Sequence, residues 1–237
     1  MCSSLLNPSV TEPPPLPSVR DRPIVCYVTD GQASSGVDRE YFLSERIRTA
    51  LTAGADWIQI REKGMYSRGL LTLVRQSVRS ASTIASASRI LVNDRLDVAV
   101  AADAAGVHLG GESLPAESTV HWCRAGVAPK GFLIGVSCHS LEEVRTAQSD
   151  GVDYVFFGPI FDTPSKRLFG PPQGIDRLGD VCRFASVPVI AIGGINGTNA
   201  LDCIRAGAKG IAAIRPFQDR SDAASIQNFV SAIHACG

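Results

Sequence analysis

The chain has 237 residues, 45% of them hydrophobic and 19% charged, which is the composition of a globular domain with a sizeable core. Twenty-three basic residues offset twenty-three acidic ones, and aromatics make up 6%. That balance excludes a global basic field and a base-stacking platform, so neither nucleic acid nor a membrane surface is expected as a partner.

Residues 1–22 are rich in Ser and Pro, with Pro13, Pro14, Pro15 and Pro17, and lack the apolar stretch of a secretory signal. They read as a disordered extension ahead of a single domain over 23–237. No apolar run approaches the roughly 20 residues that span a bilayer. Seven cysteines, at 2, 26, 123, 138, 182, 203 and 236, form no CxxC pair. They read as buried thiols in a reducing, cytoplasmic setting.

From Pro23 onward short apolar runs alternate with helical stretches. The strands expected are Ile24–Thr29, Trp57–Arg61, Ile90–Asn93, Gly106–Leu109, Leu133–Ser137, Tyr154–Gly158, Val189–Gly193 and Gly210–Ile214. Their nearly continuous apolar character is that of strands buried on both faces of a parallel sheet. Between them, Tyr41–Ala53, Leu70–Ala85, Leu96–Ala102, Leu141–Ser149, Asp176–Phe184, Asn199–Ala206 and Ala224–His234 carry apolar residues at helical spacing, with Glu117–Arg124 a weaker case. Ser140-Leu141-Glu142-Glu143 has the form of a capping box. Gly54, Gly106, Gly151 and Gly207 are expected to end helices in left-handed turns. Eight such units predict a single (β/α)8 TIM barrel rather than a doubly wound sheet, since no G-x-G-x-x-G follows the first strand.

In such barrels chemistry sits where strands end. Strand 2 ends in Gln59-Ile60-Arg61-Glu62-Lys63, and alternation puts Gln59, Arg61 and Lys63 on one face. Two cations converging there fit an anionic ligand; a salt bridge from Arg61 to a neighbouring strand is the plainer alternative. Strand 3 ends in Asn93-Asp94-Arg95: Asp94 suits a hard cation such as Mg2+ and Asn93 a phosphate, or either caps the next helix. After strand 4, Gly110 and Gly111 allow a close backbone approach, and His108 is expected in packed structure more than in catalysis. After strand 5, Ser137 and His139 share a face, with His139 either a proton carrier or a bystander to the Ser140 cap. After strand 6, Thr163, Ser165 and Lys166 lie on a loop, continuing through 167–174, whose hydroxyls and cation suit phosphate oxygens or simply face solvent. Gly193 and Gly194 after strand 7 offer backbone amides to a second phosphate, together with the end of strand 8. Two anion sites face to face point to transfer between two phosphorylated small molecules.

The ordered set Gln59–Lys63, Val92–Arg95, Gly106–Gly110, Gly135–Ser140, Asp153–Pro159, Thr163–Lys166 and Ala191–Ile195 resembles the thiamine phosphate synthase/thiazole tautomerase family from Ile24 to the C-terminus. The resemblance implies a transferase that joins hydroxymethylpyrimidine diphosphate to a thiazole phosphate, releases pyrophosphate and uses Mg2+. It assigns the pyrophosphate grip to Gln59, Arg61, Lys63, Asn93, Ser137 and Lys166, and the metal to Asp94. Thiazole-phosphate contacts fall on Thr163, Ser165 and Gly194. Catalysis is expected from Lys166, Arg61, Lys63 and, in the tautomerase branch, His139. Two positions depart from the synthase pattern: Ser113 stands where a second metal-binding Asp is usual, and Arg215 where a phosphate-binding Ser is usual. The alternatives are thiazole tautomerase activity and a non-catalytic sensor of thiamine intermediates. A homodimer is a fair expectation for a barrel of this size.

Overall fold

The computed structural model describes residues 22–31, 39–84, 87–163, 171–219 and 222–236. Eight parallel strands close into a barrel in chain order: β1 (Ile24–Val28), β2 (Trp57–Ile60), β3 (Arg89–Asn93), β4 (Gly106–Leu109), β5 (Leu133–Cys138), β6 (Tyr154–Phe157), β7 (Val189–Ile192) and β8 (Gly210–Ala213). Closure is made by β1 on β8, with Ile24 beside Gly210 and Tyr27 beside Ala213.

Alternation sorts the side chains into two cores. Ile24, Cys26, Val28, Trp57, Leu91, Leu133, Tyr154, Phe156, Ile190 and Ala212 fill the barrel interior. The intervening residues, such as Val25, Tyr27, Ile58, Val92 and Val155, meet the helices outside. Trp57 and Tyr154 pack their rings 4.7 Å apart in the interior, so the lower barrel is a solid core and not a pore.

The helices are α1 (Arg39–Thr52), α2 (Ser67–Thr83), α3 (Leu96–Ala101), α4 (Ala116–Trp122), α5 (Leu141–Ser149), α6 (Gly174–Phe184), α7 (Ala200–Arg205), α8 (Arg215–Gln218) and α9 (Ala223–His234). In α2 the residues turned to the barrel are Leu70, Leu73, Val74, Ser77 and Ala81, at helical spacing. The weak pattern around Glu117–Arg124 is α4 followed by a π-helical turn at Cys123–Val127, broken by Gly126 at φ 105°. Helix α8 escapes a periodicity reading because it is a single turn, although Pro216 in its first turn is a start signal.

Gly54, Gly151 and Gly207 end helices at φ 87°, 83° and 102° as expected. The expectation fails at Gly106. That residue lies inside β4, where a β-carbon would stand 2.3 Å from the Leu133 carbonyl oxygen, so the missing side chain serves strand contact. The left-handed residue after α3 is Asp103, at φ 54°.

At the N-terminal end of the barrel, Arg22 donates to Asp56 Oδ1 at 2.5 Å, and His234 of α9 meets Asp56 Oδ2 at 2.8 Å. The same carboxylate accepts from the backbone N–H of Val25 at 2.8 Å. This cluster ties β1, β2 and the last helix together, at the opposite end of the barrel from the strand ends where the ligands are expected. Cys26, Cys123, Cys138 and Cys203 are buried thiols, and burial pushes Cys138 and Cys203 up to about 12. Among the described residues no helix is long and apolar enough to cross a membrane.

Candidate active site

A cavity of about 410 Å3 opens at the C-terminal ends of the strands. Gln59 lines it from β2, and Arg61 and Lys63 line it from the turn that follows, because the strand ends at Ile60 rather than at Arg61. Two and three strands round the barrel, Arg215 lines it from the end of β8 and Gly193 and Gly194 from the end of β7. Its floor includes Phe156, Ile192 and Ala212.

Arg61, Lys63 and Arg215 form no ion pair with any described residue. The expected alternative, a bridge from Arg61 to a neighbouring strand, is therefore not what the strand end makes. Glu62, on the other face, is buried and accepts from the Thr29 hydroxyl at 2.7 Å. That hydroxyl in turn accepts the Arg61 N–H at 2.9 Å, which fixes the backbone of the turn carrying Arg61 and Lys63. Gln59 is 2% exposed; its Nε2 donates to Asn93 Oδ1 at 2.8 Å, while its Oε1 has no hydrogen-bond partner among the described residues.

Asn93 passes the chain on, donating from Nδ2 to Asp94 Oδ2 at 2.5 Å. Asp94 does not cap α3. It stands at φ 61°, and its Oδ1 receives the Gly110 N–H at 3.1 Å and the Ser113 hydroxyl. The Gly110 N–H is shared with Ser113 Oγ, at 2.7 Å. One carboxylate is thus held at the barrel mouth by donors from the loop after β4.

Ser137 and His139 both line the cavity from the end of β5. The serine half of the capping box forms, with Ser140 Oγ accepting the Glu143 N–H at 3.1 Å, while the Glu143 carboxylate reaches one residue beyond the cap, to the His139 N–H at 2.7 Å. His139 Nδ1 lies against the Gly158 carbonyl oxygen. A carbonyl only accepts, so Nδ1 carries a proton and donates it to Gly158. His108 is a packed residue, as expected, 1% exposed and tilted against Phe156 at 4.2 Å between ring centres. Burial pulls its pKa down to about 3, which keeps it neutral.

On the β6–β7 side, Gly193 and Gly194 hold φ 99° and 69°. A β-carbon on Gly193 would stand 2.6 Å from Pro159 Cα, and one on Gly194 2.7 Å from Phe161 Cβ. Glycine alone lets this backbone lie against the β6 loop and face the cavity. The Gly158–Pro159 peptide at that contact is cis. Thr163 lines the cavity. Ser165 and Lys166, with residues 167–170 of the loop, lie outside the described residues.

Two cavity residues are absent from the sequence reading, Asp30 and Gln218. Gln218 of α8 donates to the Asp30 carbonyl at 3.2 Å, bridging the ends of β1 and β8. Asp30 directly follows the first strand, which is a signal of the kind used for Asp94. Gln218 gives no such signal, since it reaches the site through an unforeseen helical turn.

A family model described as thiamine monophosphate synthase matches residues 25–217. The chain is 40% identical over 206 residues to a thiamine-phosphate synthase of Methanocella arvoryzae, covering 87% of this chain and 92% of that protein. It is 39% identical over 215 residues to a thiamine-phosphate synthase of Roseiflexus castenholzii, covering 90% and 89%. Among solved structures, a thiamine phosphate pyrophosphorylase from Pyrococcus furiosus superposes with a TM-score of 0.76 at 29% identity, covering 91% of this chain and 98% of that one.

Proposed function

The chain belongs to the thiamine monophosphate synthase family, and on that premise we propose that it joins a hydroxymethylpyrimidine diphosphate to a thiazole phosphate and releases pyrophosphate. It is a transferase of the thiamine-phosphate synthase type. The observation that carries the reading is the pairing of two anion-binding ends in one cavity. Arg61 and Lys63, which pair with no carboxylate among the described residues, stand at one end; the Gly193–Gly194 turn and Arg215 stand at the other. Unpaired cations lining a cavity call for an anion.

In this reading Gln59, Arg61, Lys63, Asn93, Ser137 and Lys166 hold the diphosphate, and Thr163, Ser165, Gly194 and Arg215 hold the thiazole phosphate. As the C–O bond to the pyrimidine methylene breaks, negative charge grows on the leaving pyrophosphate. Arg61 and Lys63 already line the cavity before the reaction, so they stabilise that charge with little reorganisation, and Lys166 is read as adding a third positive charge. The electron-poor methylene is then attacked by the thiazole nitrogen, held beside it by the second phosphate site. Holding both partners in one cavity removes most of the entropy cost of their encounter, a term worth roughly 7–11 kcal/mol at its limit.

The donor set fits Mg2+. Asp94 supplies one carboxylate and Ser113 a hydroxyl, both hard oxygens. The described residues hold no group of three His, Cys, Asp or Glu that would complete a cage. Mg2+ commonly keeps waters and takes phosphate oxygens from the substrate, which matches a single carboxylate. When bound, it would supply positive charge against the departing pyrophosphate. The reading also places the protein in the cytoplasm, where buried free thiols persist, and as a homodimer, which light scattering tests.

The deciding experiment is formation of thiamine phosphate by the purified chain from the two phosphorylated substrates, with Mg2+ and with EDTA. Mg2+-dependent product is expected. Folded protein that makes no product under either condition would overturn the synthase reading, and isomerisation of a thiazole carboxylate phosphate would then be assayed with His139 as its proton carrier.

A further inference from the structure

The register sets His108 of β4 beside Gly135 of β5, and Gly135 beside Tyr154 of β6. All three lie in one layer of the barrel interior. Gly135 contributes no side chain, and a β-carbon there would stand 2.0 Å from Tyr154 Cζ. His108 and Tyr154 therefore meet over the gap it leaves, with 3.1 Å between Nδ1 and the phenol oxygen. The other imidazole nitrogen, Nε2, lies 2.9 Å from the hydroxyl oxygen of Ser137, which lines the cavity.

The protons in this chain can be counted. Tyr154 is fully buried, its ring packed with those of Trp57 and Phe156 at 4.7 and 5.5 Å between centres. Among the described residues its hydrogen-bond partner is His108 Nδ1 alone. An O–H left unpaired between apolar rings costs free energy that nothing there offsets, so the phenol donates to Nδ1. A neutral imidazole has one N–H, and with Nδ1 accepting, that proton is on Nε2 and is donated to Ser137 Oγ. The serine oxygen thus accepts from within the barrel, and its own proton is free for the cavity.

We propose that Tyr154 and His108 are positioning residues that fix the Ser137 hydroxyl as a donor aimed into the cavity, toward an anionic oxygen of the diphosphate. Neither touches the substrate; they act by choosing which way the serine proton faces. The inference rests on the reading of Ser137 as a diphosphate ligand.

The tautomer is read without any substrate. Nitrogen-15 NMR of the full chain labelled at histidine, with the His108 signals assigned by their loss in His108→Gln, is expected to show the proton on Nε2. Binding of inorganic pyrophosphate with Mg2+, followed by calorimetry, then tests the consequence. Tyr154→Phe keeps the ring and removes the donor, and is expected to weaken binding about fivefold. Ser137→Ala is expected to weaken it by a similar factor or more, and adding Tyr154→Phe to Ser137→Ala should change nothing further. A proton on Nδ1 in the unsubstituted chain would overturn the proposal. So would an undiminished effect of Tyr154→Phe in the Ser137→Ala background, which would mark the tyrosine as merely structural. These results stand apart from failure of the synthase reading, which the product assay decides.

Discussion

Ser113 donates its hydroxyl to Oδ1 of Asp94, and the backbone N–H of Gly110 is shared between the two side chains. The loop after β4 thereby holds the carboxylate that ends β3, and it does so with a neutral group. A neutral hydroxyl is a weaker ligand for a hard cation than a carboxylate would be.

Two substitutions separate these contributions. Ser113→Asp is expected to tighten Mg2+ binding to the free protein at least tenfold, measured with Mn2+ as a paramagnetic stand-in. Asp94→Ala is expected to cut turnover by orders of magnitude while leaving the thermal transition near its starting point. Wild-type turnover in Asp94→Ala would remove the carboxylate from the proposed function.

The two ends of the cavity are expected to separate in steady-state kinetics. Arg61→Gln removes a charge-assisted contact worth about 1.5–3 kcal/mol, so kcat/KM for the diphosphate substrate should fall roughly 10- to 150-fold. Arg215→Ser should raise KM for the thiazole phosphate and leave KM for the diphosphate unchanged. Equal effects of both variants on both substrates would mean that the cavity does not sort its ligands by end. Lys166→Ala, on the loop outside the described residues, is expected to reduce kcat by orders of magnitude.

His108 makes stability depend on pH. Its pKa is about 3 in the folded chain against an ordinary 6.5. Between those values the unfolded chain binds a proton that the folded chain excludes. The contribution is complete above about pH 6.5 and is lost as pH falls toward 3, at up to about 1.4 kcal/mol per pH unit. His108→Gln, which cannot titrate, should lose less stability than the unsubstituted chain between pH 6.5 and 4.5. Parallel loss in denaturant titrations of both proteins would contradict this.

Gly135→Ala forces a methyl group into the Tyr154 ring. Overpacking of this kind costs about 1–3 kcal/mol or more, or roughly 2–10 °C in Tm for a domain of this size. An unchanged Tm would mean that the ring moves aside freely, against the packing described for the barrel interior.

Much of this protein is decided by short stretches of its sequence. The period of two in Gln59–Lys63 places Gln59, Arg61 and Lys63 on one face whatever the rest of the chain does. The spacing of Ser140 and Glu143 builds the cap behind His139 from adjacent residues. The same local logic orders eight strands and their helices, and from that order the barrel follows. Lateral relations are different in kind. That Ser113 answers Asp94, that Gly135 leaves room for His108 to reach Tyr154, and that α8 brings Gln218 to Asp30 all depend on the register between strands. Register is set by how the closed barrel packs its two cores, and no single segment carries that information. Gly106 shows the difference within one residue: its place at the start of a strand is legible locally, but the left-handed turn expected of it falls on Asp103, and its missing side chain answers to the close approach of β5.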